Sequence, residues 1–187
     1  MPPTKTLETF SQRVALEALR PDEGAKYGVP AKIGFTIKQG DVIGVITVSS
    51  KARRRSRTAA AGAGFAINSP VGQVDDSSVF VHGDVLTSED GTVIGTVDVV
   101  DATLNPNTVT LTGNAAVAVA DDDAVMASDG SQVAQGISDD ASDGADDLTS
   151  IGVFISGFMD ESKLRGLDAS AKEELNGASV IGGIFKF

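Results

Sequence analysis

Apolar and polar residues alternate along much of the chain after residue 31, and this pattern predicts β-strands. Residues 32–50 (KIGFTIKQGDVIGVITVSS) predict two strands joined by a turn at Gln39-Gly40. Residues 78–120 contain four or five short alternating runs separated by turn residues. Short strands at such close spacing favour a small barrel or a curled sheet.

The pattern continues into the C-terminal part of the chain. Residues 121–137 predict a β-hairpin, and the apolar run 151–159 (IGVFISGFM) predicts a buried strand. Asp168 is expected to cap a short helix that ends at Gly177, since Asp favours the N-cap and Gly the C-terminal end. Residues 179–187 (SVIGGIFKF) predict a final strand.

Two further segments complete the predicted organisation. Residues 6–20 space their apolar side chains as in a short amphipathic helix, which is either an arm that docks on a partner or a helix packed on its own domain. Residues 59–78 are rich in small and turn residues and predict a loop or linker. We therefore predict an N-terminal arm over 1–30, a core from 31–57 and 124–187, and an inserted β-rich module over 58–123.

Charge is segregated along the chain, whose 187 residues carry a net charge of −11. Residues 1–57 hold 11 cations and 5 anions, whereas residues 58–162 hold 18 anions and no Lys or Arg. The acids of this middle segment must be solvated or must meet cations from elsewhere. An acidic surface suits solubility alone or adaptation to high salt, and composition does not separate these two readings.

The only basic cluster is residues 51–57 (KARRRSR), with five cations in seven positions. Its possible roles are a solvated loop, a contact with nucleic acid, or a contact with an acidic surface of another copy or another protein. A contact with an acidic surface explains the charge segregation most simply, because each chain would present a basic N-terminal segment and an acidic middle segment. A net negative chain is otherwise a poor partner for nucleic acid.

Motifs that bind cofactors or metals are incomplete in this sequence. The stretch GAGFAI lacks the third glycine of a dinucleotide-binding loop, because Ile67 stands there. The exposed acidic loop predicted over 138–147 departs from an EF-hand, because Ala141 occupies a ligand position and Ser150 replaces the closing Glu. We therefore expect no cofactor and no metal site.

The sequence gives equally little support for a catalytic site. The chain has no Cys and a single histidine, His82, which lies in a turn and has no GxSxG nucleophile motif to serve. No apolar run reaches the roughly 20 residues that span a membrane, and the first residues lack the apolar segment of a secretory signal. We expect a protein that is not an enzyme and has no membrane partner.

Parts of the sequence resemble the head decoration (capsid cement) proteins of tailed viruses, in particular the lambda-type family. The resemblance covers about residues 31–50 and 124–187 and includes FTIKQGDVIGVIT, Gly136-Ile137 and the C-terminal block from Ile151. The matching positions in that C-terminal block are Gly157, Leu164, Leu167, Ala171, Leu175, Gly183, Ile184 and Phe185.

This resemblance implies a mostly β fold, with a β-sandwich or β-tulip-like core, one or two short helices, and a small barrel-like module inserted in this chain. It implies a structural virion protein, made in the host cytoplasm, that binds the outer surface of the expanded capsid and stabilises it against internal DNA pressure. The implied partners are the major capsid protein and the chain itself as a homotrimer. Alternatives are another virion protein, such as a head fibre or tail component, or a cell- or glycan-binding module on the particle.

Partner contacts are predicted at the apolar positions of the arm, the arginine cluster and two aromatic residues of the C-terminal block. These residues are Leu7, Phe10, Val14, Arg53, Arg54, Arg55, Arg57, Phe158 and Phe185. The trimer contacts are expected to use residues 31–57 and the C-terminal block.

Overall fold

The computed structural model describes residues 26–32, 34–145, 150–177 and 185–186, and most of its regular structure is β. The strands are β1 (Lys26–Pro30), β2 (Val42–Ile46), β3 (Lys51–Arg54), β4 (Arg57–Phe65), β5 (Val71–Val74), β6 (Val85–Ser88), β7 (Val93–Asp101), β8 (Asn107–Leu111), β9 (Ala124–Ala127), β10 (Gly136–Ser138), β11 (Ser150–Phe154), β12 (Gly157–Phe158) and β13 (Phe185–Lys186). One short helix, α1 (Ala169–Gly177), is described. The prediction of a mostly β fold is confirmed, whereas the helix predicted over 6–20 lies outside the described residues.

A five-stranded antiparallel sheet takes its strands from both ends of the described chain, in the order β1-β11-β10-β2-β3. Its two outer strands meet where Ala31 bridges Ala52 and the amide of Lys32 donates to the carbonyl of Ala52 at 2.8 Å. The sheet therefore curls back on itself, and this contact partly covers its two edges.

Neighbouring residues of the central strands point to opposite faces of this sheet, and both faces are buried. Ile43 and Val153 pack inside the curl, whereas Val42 and Phe154 pack on the outer face beneath α1. A sheet buried on both faces needs continuous apolar runs, which VIGVI in β2 and the buried end of β11 provide. The buried strand predicted within 151–159 is confirmed over β11.

A closed barrel is inserted between β3 and β10, with strand order β4-β5-β8-β7-β6-β9. Its interior is filled by apolar side chains that are buried almost completely, including Phe65, Phe80, Leu86, Ile94 and Val97. This is the barrel that the short alternating runs predict. Closure leaves no free edge between its first and last strands.

The barrel begins earlier and ends later than the sequence pattern predicts. Residues 59–78 are not a loop, because they form most of β4 and all of β5. The small residues serve a bend within β4: Gly62 and Gly64 have φ of 58° and 57°, and the pairing register shifts between Ala60 and Phe65. Strand β9, which the pattern assigns to the core, closes the barrel.

Three other segments differ from their predictions. The first strand expected within 32–50 does not form among the described residues of that segment, where only the isolated bridge Ile37–Ser142 precedes the turn at Gln39-Gly40. The acidic loop over 138–147 is partly buried among its described residues, since Asp139 and Ser142 lie inside the fold. Residues 26–30, expected to belong to an arm, form β1 and pair with β11.

The two connections between sheet and barrel cross side by side. The hydroxyl groups of Ser56 and Ser131 lie 2.6 Å apart, and the amide of Ala127 donates to the carbonyl of Ser56. Gly44 makes this crossing possible, because a Cβ on Gly44 would lie 1.8 Å from the carbonyl oxygen of Ser131. The barrel is therefore held to the sheet by polar contacts at its base.

Helix α1 begins as the sequence predicts. A carboxylate oxygen of Asp168 accepts a hydrogen bond from the amide of Ala171 at 2.6 Å, which is the contact of an N-cap residue. Gly177 is the last helical residue. Ala171 and Leu175 are buried against the outer face of the sheet, and the partly buried Leu164 and Leu167 pack against the same cluster.

We expect Leu86→Ala to lower the free energy of unfolding by about 2–5 kcal/mol, because it leaves a cavity in the barrel core. Leu104→Ala is the matched control: Leu104 is 49 % exposed and Leu86 is 0 % exposed. The control should change stability by less than about 0.5 kcal/mol. Urea unfolding measures both, and equal losses would contradict the description of the barrel interior.

Candidate partner-binding site

The arginine cluster lies where the sheet passes into the barrel. Arg53 and Arg54 end β3, Arg55 and Ser56 form the crossing, and Arg57 begins β4. The pairing of β3 with β2 places Arg53 opposite Gly44, and the amide of Arg55 donates to the carbonyl of Val42. The backbone of the cluster is therefore fixed by the sheet.

Arg53 is 1 % exposed and links the sheet to the barrel. Its two terminal nitrogens donate to the two carboxylate oxygens of Asp84 at 2.9 and 2.8 Å, a bidentate pair. Further bonds reach Asp129 at 3.0 Å and the carbonyl of Val79. The guanidinium carbon also lies 4.0 Å from the ring centre of Phe35.

Arg55 is 3 % exposed and links the crossing to α1. Its Nη1 donates to Asp168 at 2.8 Å, and its Nη2 donates to Glu174 at 2.9 Å. Its Nε donates to the carbonyl of Gln132 at 2.9 Å. One side chain therefore joins the start of the helix, its second turn and the return connection.

The other two arginines of the cluster are less buried. Arg54 donates to Asp76 at 2.9 Å, and Arg57 donates to Glu89 at 2.6 Å. All four arginines thus contact carboxylates of their own chain, and the acids that pair with three of them belong to the cation-free segment 58–162.

This geometry changes the interpretation of the cluster. The sequence favours an acidic surface on another molecule as its target, whereas the structure supplies acidic groups from the same chain. A buried guanidinium cannot reach a second molecule, so we no longer place Arg53 and Arg55 at a partner interface, and the cluster is not a solvated loop. Partner contact by the more exposed Arg54 and Arg57 stays a prediction.

A cleft of about 680 Å³ opens between the sheet and the barrel, beside Arg54. We call it the junction cleft. Its charged lining residues are Lys38, Asp41, Arg54, Asp76 and Arg165. Its apolar lining residues include Phe35, Phe80, Val81 and Val100.

Asp41 organises the charged wall of the junction cleft. It is 1 % exposed, and its carboxylate accepts from Arg165 Nε at 2.7 Å and from the amide of Lys38 at 2.7 Å. Arg54 Nε lies 3.7 Å from the same carboxylate. Sequence reasoning missed Asp41 and Arg165, because the two residues are 124 positions apart and neither belongs to a motif.

Asp76 lies between Arg54 and Ser78 on the barrel side of the cleft. Burial acts to raise the pKa of Asp76, but hydrogen bonds from Ser78 and the charge of Arg54 outweigh it and hold the pKa below its usual value. Asp76 is therefore ionised at neutral pH and fixes the Arg54 side chain in the wall.

Of the remaining candidates, the structure describes only the side chain of His82, which is not among the residues that line the junction cleft. His82 is 75 % exposed at its side chain, and its Nδ1 lies 3.0 Å from the carbonyl oxygen of Asp98. Leu7, Phe10 and Val14 lie outside the described residues, as do the side chains of Phe158 and Phe185. In the described ranges, no three His, Asp or Glu side chains are placed to hold a metal ion.

The described geometry defines a mostly β protein of two joined modules with a mixed polar and apolar cleft at the junction. No family model, curated protein or solved structure matches the chain. Among the described helices, none is long and apolar enough to cross a membrane.

We expect Arg53→Met to lower the free energy of unfolding by about 3–5 kcal/mol, because it leaves Asp84 and Asp129 without their buried cation. Arg57→Met is the matched control, since its partner Glu89 is 68 % exposed at the side chain. An exposed pair contributes only about 0–1 kcal/mol. Similar urea midpoints for the two variants would contradict the structural role of Arg53.

Lowering the pH should remove the contribution that Asp76 makes to the free energy of unfolding. Because its folded pKa is lowered, its stabilising effect is present above the unfolded value of 3.8 and is lost as the pH falls through the folded value. We expect Asp76→Asn to lower the free energy of unfolding at pH 7, and to change it little at a pH well below the folded pKa of Asp76. Urea midpoints measured across this range test it, with Asp75→Asn as the control for net charge. A constant difference between wild type and D76N would contradict the prediction.

Proposed function

We propose that this chain is a structural virion protein that binds the outer surface of an expanded capsid and stabilises the assembled shell. The proposal begins from the resemblance to head decoration proteins in residues 31–50 and 124–187. It is supported by where the structure places these two sequence segments.

The observation that carries the proposal is the pairing of β10 with β2. Gly136 and Ile137, which belong to the second resembling segment, pair with Ile43 and Val42 of the first. The two segments are separated by the whole barrel in sequence, yet they share the centre of one sheet. A resemblance divided by an insertion is expected to fold together in this way.

Four C-terminal positions of the resemblance share one region. Leu164, Leu167, Ala171 and Leu175 belong to the apolar cluster on the outer face of the sheet. Gly157 pairs with Phe185 in the parallel pair β12–β13. These described positions therefore contact one another within the fold, as expected if the resembling block folds as a unit.

Charge supports a position outside the shell. After Arg57 at the start of β4, the barrel strands contain no Lys or Arg, and the acids Glu89, Asp90 and Asp121–Asp123 are exposed. An acidic surface is repelled by packaged DNA and is compatible with solvent on the capsid exterior. A ligand that binds only the expanded shell stabilises that state by RT ln(1 + [L]/Kd) at each site.

Copy number in purified particles tests this proposal. Quantitative mass spectrometry should find this chain at about one copy per major capsid subunit, as expected for a protein that covers the shell. A few copies per particle would favour a fibre or tail component. Absence from particles would overturn the virion assignment.

The predicted arm is tested in the full chain. Changing Leu7, Phe10 and Val14 together to Ser should weaken binding to expanded shells by at least about tenfold, because each buried apolar side chain contributes about 1.5–3 kcal/mol. A matched control changes Thr4, Thr9 and Gln12 to Ser. Co-sedimentation with shells measures both, and equal binding would remove these three residues from the interface.

We also propose that the protein is a homotrimer. Light scattering on the isolated chain should give three times the chain mass of 19.1 kDa. The mass of a monomer or a dimer would contradict this part of the proposal.

A further inference from the structure

We propose that the junction cleft binds a carboxylate carried beside an apolar side chain, as presented by an acidic segment of the capsid protein. Only the identity of this partner rests on the proposed function. The inference that the cleft binds a carboxylate rests on the residues that line the cleft.

The charges of the cleft favour an anion. Lys38, Arg54 and Arg165 contribute three cations, whereas Asp41 and Asp76 contribute two carboxylates. The cleft therefore carries a surplus of one positive charge in a chain whose net charge is −11. A single carboxylate matches this surplus, while the two acidic side chains in the wall disfavour a more highly charged phosphate.

Two of the three cations have donors that face no acceptor in the described part of the chain. Arg165 is 44 % exposed at its side chain and uses Nε for Asp41 and Nη2 for the carbonyl of Gln39, which leaves Nη1. Lys38 is exposed, and only its backbone amide is bonded to Asp41. Arg54 donates hydrogen bonds to Asp76 and Ser78, so it contributes its positive charge and part of the cleft wall.

The rest of the lining includes apolar side chains that contribute from both the sheet side and the barrel side of the cleft. Phe35 and Phe80 are 7 % and 1 % exposed, and the ring of Phe35 is covered by the guanidinium of Arg53. Val81 and Val100 continue this lining. A volume of about 680 Å³ lies within the usual range of roughly 300–1,000 Å³ for ligand pockets. A carboxylate alone would leave the apolar wall unused, so an adjacent apolar group is expected.

Hydrocinnamate is a suitable probe, because it joins a phenyl ring to one carboxylate. Its titration into the isotopically labelled full chain should shift the backbone amides of Gly34, Lys38, Val81 and Ala102, which line the cleft. Hydrocinnamamide and phenylpropylamine keep the ring and replace the anion by a neutral or cationic group. We expect both to bind at least about tenfold more weakly, because a charge-assisted hydrogen bond is lost.

Lys38→Gln should weaken hydrocinnamate binding by about three- to tenfold, with Lys163→Gln as the control for an exposed lysine away from the cleft lining. Arg165→Gln should weaken it further, but this residue also holds Asp41, so its urea midpoint is measured as well. Lys38 makes no such side-chain contact among the described residues, and K38Q therefore separates binding from folding. Equal affinity of the three probes, or shifts outside the cleft, would overturn the proposal.

Shell binding separates this inference from the proposed function. Loss of co-sedimentation in K38Q, with K163Q unchanged, supports the capsid segment as the occupant. Hydrocinnamate binding by a chain that is absent from particles would retain the carboxylate site and reject the capsid partner. Shell binding that K38Q leaves unchanged would likewise reject the capsid segment as the occupant.

Discussion

The burial of the Arg53 guanidinium is the constraint on which the arrangement of the two modules depends. A buried cation is costly unless its charge is neutralised and its donors are bonded. The two terminal nitrogens of Arg53 are bonded to Asp84 and the carbonyl of Val79 from the barrel, and to Asp129 from the return connection, whereas its buried Nε has no hydrogen-bond partner among the described residues. The barrel must therefore sit in one position on the sheet, because displacement would separate this cation from its partners. The buried Arg55 fixes the position of α1 in the same way, because it forms ion pairs with Asp168 and Glu174.

This constraint also explains the unusual charge distribution. The cation-free segment cannot neutralise its own acids, and arginines at the point where the chain enters the barrel neutralise a selected few of them. Among the other described acids of this segment, Asp90 and Asp121–Asp123 are exposed, whereas Asp139 is buried. Buried pairs such as Arg53–Asp84 are screened weakly by salt, whereas repulsion among exposed acids is screened strongly.

The same junction creates the cleft that we propose as a binding site. Docking the barrel on the sheet brings Phe80 and Asp76 opposite Phe35, Lys38 and Asp41, and the C-terminal block adds Arg165. Its wall is fixed by hydrogen bonds that neutralise most of its charge and leave one surplus cation. The proposed capsid partner and the proposed carboxylate site are consistent with each other, because a structural virion protein needs a defined contact on an otherwise acidic surface.

Local sequence patterns determined the β content, the barrel, the buried strand β11 and the cap of α1, because each depends on alternation or on a residue acting within a few positions. The patterns misassigned 59–78, where small residues indicate a loop but instead allow a barrel strand to bend. Only the tertiary structure decided which groups the arginine cluster contacts, since the partners of Arg53 are 31 and 76 positions away. The Asp41–Arg165 pair spans 124 positions. No local pattern encodes such pairings, because they exist only after the sheet, the barrel and the C-terminal block have packed together.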